Sequence, residues 1–115
     1  MNISPYVFPG VVDRTSNATK ARSIINEIVE YKGITLEQLC SEGRLTIYAH
    51  ARFLCMYFLK YNLDFPLHEI ARLLRGQNKP LHHSTIINGL RTVHKLMEAK
   101  DEVMKKDILY LKGIL

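Results

Sequence analysis

The sequence predicts an all-α protein, a compact bundle of about six helices that contains a helix-turn-helix. Apolar residues recur at helical spacing in several separate stretches, and no stretch alternates between apolar and polar side chains as a half-buried strand would. The chain has 115 residues, of which 47% are hydrophobic and 23% are charged. This composition is typical of one folded domain and not of a disordered chain.

Residues 1–15 are predicted to form an extended N-terminal segment in front of a helical domain of residues 16–115. Pro5 and Pro9 restrict their own backbone and that of the preceding residue, which opposes a helix here. The apolar residues between them, Tyr6, Val7 and Phe8, either cover an edge of the core or form a docking peptide for a protein partner.

The first half of the domain is predicted to contain three helices. The first covers residues 16–32 and ends at Gly33; its apolar positions are Ala21, Ile24, Ile25, Ile28 and Val29. Thr35 and Gln38 form a capping box that opens a short helix, which ends by Gly43. The third covers residues 47–61, and its apolar stripe is Ile47, Ala51, Leu54 and Phe58.

Two further helices, residues 66–75 and 83–99, are predicted to be joined by a polar turn, and a last helix covers residues 101–112. Pro66 suits the first turn of a helix, where its missing N–H costs nothing. The apolar positions of the first helix are Leu67, Ile70, Ala71 and Leu74, and those of the second are Ile86, Leu90, Val93 and Met97. The last helix carries Val103, Met104, Ile108, Leu109 and Leu111.

The polar face of the predicted helix 83–99 has an unusual composition. It carries no acidic residue and consists of Ser84, Thr85, Asn88, Arg91, Thr92 and Lys95. A helix that is polar only for solubility usually mixes charges of both signs. Small hydrogen-bonding groups near the N-terminus, followed by cations, are typical of the helix that enters the major groove in a helix-turn-helix. Gly89 inside this helix indicates a close approach to another helix.

Positive charge is concentrated in one part of the chain. The net charge is +5, and residues 43–97 contain eight Lys or Arg against two acidic residues, together with all five histidines. Such a block favours a polyanionic partner, because cations placed at phosphates release condensed counterions. A solvated basic face without a partner is the alternative.

Several other classes of protein are not expected. No apolar run approaches the ~20 residues of a membrane span, and the first residues do not resemble a signal peptide, so a soluble protein of a reducing compartment, without membrane contact, is predicted. With a helix that enters the major groove, the expected location is cytoplasmic and nucleoid-associated. Cys40 and Cys55 form no C-x-x-C pair and are predicted to be inert buried thiols. No acidic or cysteine ligand accompanies His82 and His83, so no metal site is expected. Without a catalytic constellation, we expect no enzyme activity and no cofactor.

Three stretches resemble the DNA-binding domain of the bacterial replication initiators of the DnaA family. They are residues 30–39 (Glu30-Tyr31-Lys32-Gly33-Ile34-Thr35-Leu36-Glu37-Gln38-Leu39), residues 67–71 (Leu67-His68-Glu69-Ile70-Ala71) and residues 83–86 (His83-Ser84-Thr85-Ile86). They occur in the family's order, and the resemblance covers about residues 18–100. The most specific part is the family signature of a Gly-rich turn followed by Asp-His-Thr-Thr/Ser and an aliphatic residue.

The resemblance implies roles for individual residues. His83, Ser84 and Thr85 correspond to the family's base- and phosphate-contacting His-Thr-Thr, and Arg52 and Arg91 correspond to basic positions of the long helix and of the recognition helix. Arg44 corresponds to the basic-loop arginine that enters the minor groove. The complete predicted DNA-binding set is Arg44, His50, Arg52, Lys79, His82, His83, Ser84, Thr85, Asn88 and Arg91. Within it, Arg52, Arg91 and Lys79 are predicted to hold phosphates.

The sequence departs from the family pattern at three places. His82 replaces the family's Asp, so the usual N-cap carboxylate is absent. Phe53 replaces a glutamine after the helix-three arginine, and residues 77–81 lengthen the turn by about four residues. Arg44 and Arg52 have a second interpretation as structural partners of Glu42 or Glu69.

The expected function is sequence-specific binding of double-stranded DNA in replication initiation or transcription control. The phosphate-cradling motif G-x-x-x-x-G-K-[ST] does not occur in the 115 residues, so neither a nucleotide nor ATPase activity is expected. The alternative is a helical protein-interaction module that has kept the fold and lost DNA binding. An exposed apolar patch on the first or last helix would favour that alternative.

Overall fold

The computed structural model describes residues 9–41, 45–75 and 80–115, with side chains described from Asn17 onwards. Six helices and no strand form this part of the chain, which confirms the predicted all-α class. The helices are α1 (Pro9–Lys32), α2 (Leu36–Leu39), α3 (Thr46–Leu63), α4 (Leu67–Arg75), α5 (His83–Glu98) and α6 (Glu102–Ile114).

The helix α1 begins earlier than the sequence predicted. It starts at Pro9, so the prediction of an extended backbone was wrong for residues 9–15. Proline is compatible with the first turn of a helix, because its N–H would have no partner there and its φ angle is already helical. The predictions for Tyr6, Val7 and Phe8 concern residues outside the described part. The division of the chain into an N-terminal segment and a domain stays a prediction.

The capping box at the start of α2 is confirmed. The Gln38 N–H donates to the Thr35 hydroxyl over 3.0 Å, and the Thr35 N–H donates to the Gln38 side-chain carbonyl over 2.9 Å. These two bonds satisfy N–H groups that the first turn of a helix leaves without intrahelical partners. The box compensates for the shortness of α2, which has four residues.

The helix α3 is the centre of the core, and α1, α2, α4 and α5 all pack against it. Its buried residues are Ala51, Leu54, Cys55, Met56, Phe58 and Leu59. At the crossing with α5, a Cβ atom built on Gly89 would overlap the Met56 Sδ and lie 3.3 Å from the Phe53 ring. The interpretation of Gly89 as a point of close helix approach is therefore confirmed.

The last helix joins the bundle through a buried acidic side chain. Asp107 is 4% exposed and accepts hydrogen bonds from the Tyr31 hydroxyl over 2.6 Å and from the Lys32 ammonium over 2.5 Å. Of the apolar residues that the sequence predicts on this helix, Met104, Ile108 and Leu111 are buried. Val103 and Leu109 are exposed.

Both cysteines are held as thiols. Cys55 is fully buried, and this burial raises the pKa of its thiol. Cys40 is half-buried, its Sγ donates to the Leu73 carbonyl over 3.8 Å, and burial raises its pKa as well. Since the thiolate is the reactive form, both side chains have the environment of structural cysteines.

Candidate nucleic-acid interface

The helices α4 and α5 form the predicted helix pair. Ile70 and Leu74 of α4 and Ile86 and Val93 of α5 are buried, so each helix turns its apolar stripe to the same core. The Leu81 N–H donates to the Ala71 carbonyl over 3.5 Å, which ties the end of the connecting turn back to α4. The two helices therefore form a helix-turn-helix, and the face of α5 opposite its buried stripe is exposed.

The outer face of α5 is polar and positively charged. Ser84, Asn88, Arg91 and Lys95 are exposed and follow one another at the i, i+4, i+7 and i+11 positions, which places them along one line of the helix surface. No acidic residue occurs from His83 to Met97. The Thr92 hydroxyl donates to the Asn88 carbonyl over 2.8 Å, at the flank of this line.

The first turn of α5 is capped by a histidine. The Nδ1 atom of His82 accepts a hydrogen bond from the Ser84 N–H over 3.1 Å and lies 2.8 Å from the Ser84 hydroxyl. An imidazole nitrogen thus takes the place of the carboxylate that the family pattern has here. The sequence alone indicates only the loss of the usual cap, because histidine is not among the residues that commonly cap helices.

The C-terminal half of α5 is tied to α3 by a polar contact at the surface. The Tyr61 hydroxyl and the His94 Nε2 are 2.7 Å apart, and their rings meet edge to face with centroids 5.6 Å apart. Together with the contact at Gly89, this hydrogen bond holds α5 along α3 while Ser84, Asn88 and Arg91 stay exposed.

The Arg52 guanidinium group binds the backbone at the end of α2. One guanidinium nitrogen donates to the carbonyls of Leu39 and Ser41, over 3.0 and 3.2 Å. These carbonyls lie at the end of α2, where a helix leaves acceptors without intrahelical partners. Glu69, one of the two acidic residues considered as a partner of Arg52, pairs with Arg72 over 3.2 Å.

Arg75 is a cation that the predicted DNA-binding set does not include. Burial lowers the pKa of Arg52, and the positive charge of Arg75 lowers it further, so the two guanidinium groups lie within electrostatic range. Arg75 is in the last turn of α4, directly before residues 76–79. Its position at the end of the first helix of the pair is the sequence signal that would have found it.

His50 does not lie with the other candidate residues. Its Nε2 atom is buried, has no hydrogen-bond partner among the described residues and lies 3.7 Å from the Asp107 carboxylate of α6. Burial lowers the pKa of His50, and the nearby Lys32 ammonium lowers it further. The side chain of His50 is thus partly buried and faces the Asp107 carboxylate of α6.

Two candidate residues, Arg44 and Lys79, lie outside the described residues, as does Glu42. Phe53, the aromatic departure from the family pattern, packs beside Gly89 at the crossing of α3 and α5.

In the described part of the chain, no three His, Cys, Asp or Glu side chains form a group that could hold a metal ion. None of the helices over the same residues has the length and apolar character needed to cross a bilayer.

The fold and the outer face of α5 define a helix-turn-helix domain of the DNA-binding class. The sequence pattern of the bacterial DnaA protein helix-turn-helix family matches residues 21–93, and the chain belongs to this family. This match confirms the resemblance seen in the sequence motifs.

A curated relative gives a second comparison. The chromosomal replication initiator protein DnaA of Jannaschia sp. (strain CCS1) is 27% identical over 93 residues, which are 81% of this chain and 19% of the relative. The chain thus spans about a fifth of the length of that relative. No solved structure matches the protein.

Proposed function

We propose that this chain binds double-stranded DNA in a sequence-specific manner through the N-terminal half of α5, in the control of replication initiation at the nucleoid. The observation that carries the proposal is the exposed line Ser84, Asn88, Arg91 and Lys95 on a helix without acidic residues up to Met97. Hydroxyl and amide groups at its start suit base edges, and the cations further along suit phosphates.

His83, Ser84 and Thr85 are proposed to meet the major groove, since they occupy the first turn of the second helix, where helix-turn-helix proteins contact bases. Arg91 is proposed to hold a phosphate, and so are Arg52 and Lys79 on the strength of the family pattern. Arg44 is proposed to enter the minor groove. His82 acts as the cap of the helix, and Asn88 lies one turn beyond Ser84 on the same face.

The domain is proposed to act without hydrolysing ATP. Support comes from the 115 residues themselves, which contain no G-x-x-x-x-G-K-[ST] motif to cradle phosphates. The relative's name refers to a much longer protein, so activities of the rest of that protein are not part of this proposal.

A titration of the full chain with fluorescent duplexes tests DNA binding. A duplex selected from a randomised pool and a scrambled duplex of the same composition are compared at several salt concentrations. If about four to six phosphates are neutralised, the slope of log K against log salt is about −4 to −5. A flat salt response, or no binding at low salt, would overturn the proposal.

A protein-interaction module is the second candidate, and the exposed apolar side chains of α6 favour it. Val103, Tyr110 and Ile114 are 53%, 51% and 46% exposed and follow one another on one edge of the helix. The same titration separates the two candidates, because an interaction module that has lost DNA binding would show neither the salt slope nor a preference for the selected duplex.

A further inference from the structure

The side chains of His82 and Ser84 act as one hydrogen-bonded unit at the start of α5. The Ser84 N–H donates to the His82 Nδ1 over 3.1 Å, and the Ser84 Oγ lies 2.8 Å from the same nitrogen. A ring nitrogen that accepts a hydrogen bond carries no proton. The network therefore assigns the neutral tautomer of His82 with its proton on Nε2.

This tautomer fixes the hydrogen-bond polarity of the Ser84 hydroxyl, that is, whether the hydroxyl donates or accepts in its contact with His82. Because Nδ1 carries no proton, the hydroxyl can take part in the 2.8 Å contact only as a donor, and it then shares the one in-plane lone pair of Nδ1 with the Ser84 N–H. A serine hydroxyl has one proton and two lone pairs and normally rotates to donate or to accept. Here the proton is already engaged, and only the lone pairs remain for a partner outside the protein.

We propose that Ser84 is an obligate hydrogen-bond acceptor that selects a base with an exocyclic amino group at one position of the DNA site. This inference rests on the proposed function, in which α5 reads the major groove. Adenine N6 and cytosine N4 present amino donors there, whereas guanine and thymine present acceptor oxygens that would face the Ser84 lone pairs unfavourably. His82 is the positioning residue that sets this polarity.

The same polarity excludes Ser84 from a phosphate contact. Phosphate oxygens accept hydrogen bonds and need a donor, which the engaged hydroxyl does not offer. Thr85, the next residue, supplies the contrast: no side-chain hydrogen bond of its hydroxyl occurs within the described part of the chain, so this group rotates to donate or accept. The restriction to accepting hydrogen bonds therefore applies to Ser84, which His82 contacts, and not to Thr85.

The test measures base preference with the full chain. A site is selected from a randomised duplex pool, and each of its positions is replaced by the other three bases in turn. Wild type is compared with Ser84→Ala, His82→Ala, His82→Asn and the control Thr85→Ala. In the wild type, one position prefers adenine or cytosine over guanine and thymine by about 5- to 150-fold, the range of one good base contact.

The variants separate the reading residue from the positioning residue. Ser84→Ala loses the preference at that position and keeps its affinity for random DNA. His82→Ala releases the hydroxyl, so guanine and thymine become tolerated there. His82→Asn has an amide oxygen that accepts both hydrogen bonds, and it restores the preference without a change of charge. Thr85→Ala leaves this position unchanged.

Two kinds of failure are distinguishable. If the wild type binds no selected site more tightly than random DNA, sequence-specific binding fails, and this inference fails with it. If specific binding is present but Ser84→Ala alters a position that prefers guanine or thymine, or alters none, the inference alone is overturned. It is also overturned if His82→Ala weakens all duplexes equally, because that result is loss of a helix cap and nothing more.

Discussion

The Lys32 Nζ lies 2.5 Å from the Asp107 Oδ2, and this ion pair joins the last turn of α1 to α6 across 75 residues of chain. The Tyr31 hydroxyl donates to the other carboxylate oxygen, and this hydrogen bond, with burial, raises the pKa of Tyr31 to about 12. The Tyr31 ring also stacks on Tyr110 with centroids 4.5 Å apart. The carboxylate therefore anchors α6 to α1.

Replacing Asp107 by Asn is expected to lower the free energy of unfolding by roughly 2–4 kcal/mol, because the change leaves Lys32 with no carboxylate partner in a mostly buried position. Urea denaturation measures the effect. The matched control is Asp64→Asn, since Asp64 is exposed and pairs with Lys60 over 3.3 Å. This change should lower the free energy of unfolding by less than about 1 kcal/mol. Equal effects of the two changes would contradict the anchoring role.

His50 should make the stability of the fold depend on pH below neutrality. Burial lowers its pKa and Lys32 lowers it further, which outweighs the opposite effect of Asp107 and Asp101. The unfolded chain then binds a proton more readily than the folded protein, so stability is expected to fall as the pH drops below about 6.5. Denaturation of wild type and His50→Gln between neutral and mildly acidic pH checks this. A loss in His50→Gln that is as steep as in wild type, or steeper, would contradict it.

Gly89→Ala is expected to destabilise the protein by about 1–3 kcal/mol, because the added methyl group meets the buried Met56 Sδ at the crossing of α3 and α5. Thermal or urea denaturation measures the change. Gly113→Ala is the control, since a Cβ there meets nothing within 4 Å. That change should stabilise by about 0.4–1 kcal/mol by restricting the unfolded chain. A stabilising effect at both glycines would show that the close approach has no energetic consequence.

Arg52→Ala is expected to lower the free energy of unfolding by about 1–3 kcal/mol, because the carbonyls of Leu39 and Ser41 lose their donor. Arg72→Ala is the control, since Arg72 is exposed and pairs only with Glu69 among the described residues. That change should cost less than about 1 kcal/mol. If Arg52→Ala is as mild as the control in urea, the hydrogen bonds to α2 contribute little to the fold.

His83→Ala and Arg91→Gln should both weaken DNA binding, but only the His83 change should depend on the DNA sequence. The His83 change is expected to cost about 1–3 kcal/mol on the selected duplex and little on random DNA, which reduces the specificity ratio. The Arg91 change should weaken both duplexes alike and flatten the salt slope by about one unit. Polarisation titrations at several salt concentrations measure both, with Lys112→Gln on α6 as the control for charge. If His83→Ala weakens both duplexes by the same factor, that residue does not read bases.

The sequence by itself determined the features that depend on local order along the chain. The capping box of α2 follows from the spacing of Thr35 and Gln38, and the outer face of α5 follows from helical periodicity. The helix pair is equally local, because its two apolar stripes are each continuous in sequence. These features involve residues at most a few turns apart, whose relative positions a helix sets without help from the rest of the fold.

Only the tertiary structure decided the contacts between residues distant in sequence. The burial of Asp107 depends on the approach of Tyr31 and Lys32, and the orientation of His50 towards α6 depends on that same packing. The engagement of Arg52 with the end of α2 likewise depends on how α2 meets α3. The local sequence around a charged residue on a helix does not show whether its side chain is exposed to solvent or buried against a partner. That distinction arises because burial of a charge is tolerated only where folding brings its partner within hydrogen-bond distance.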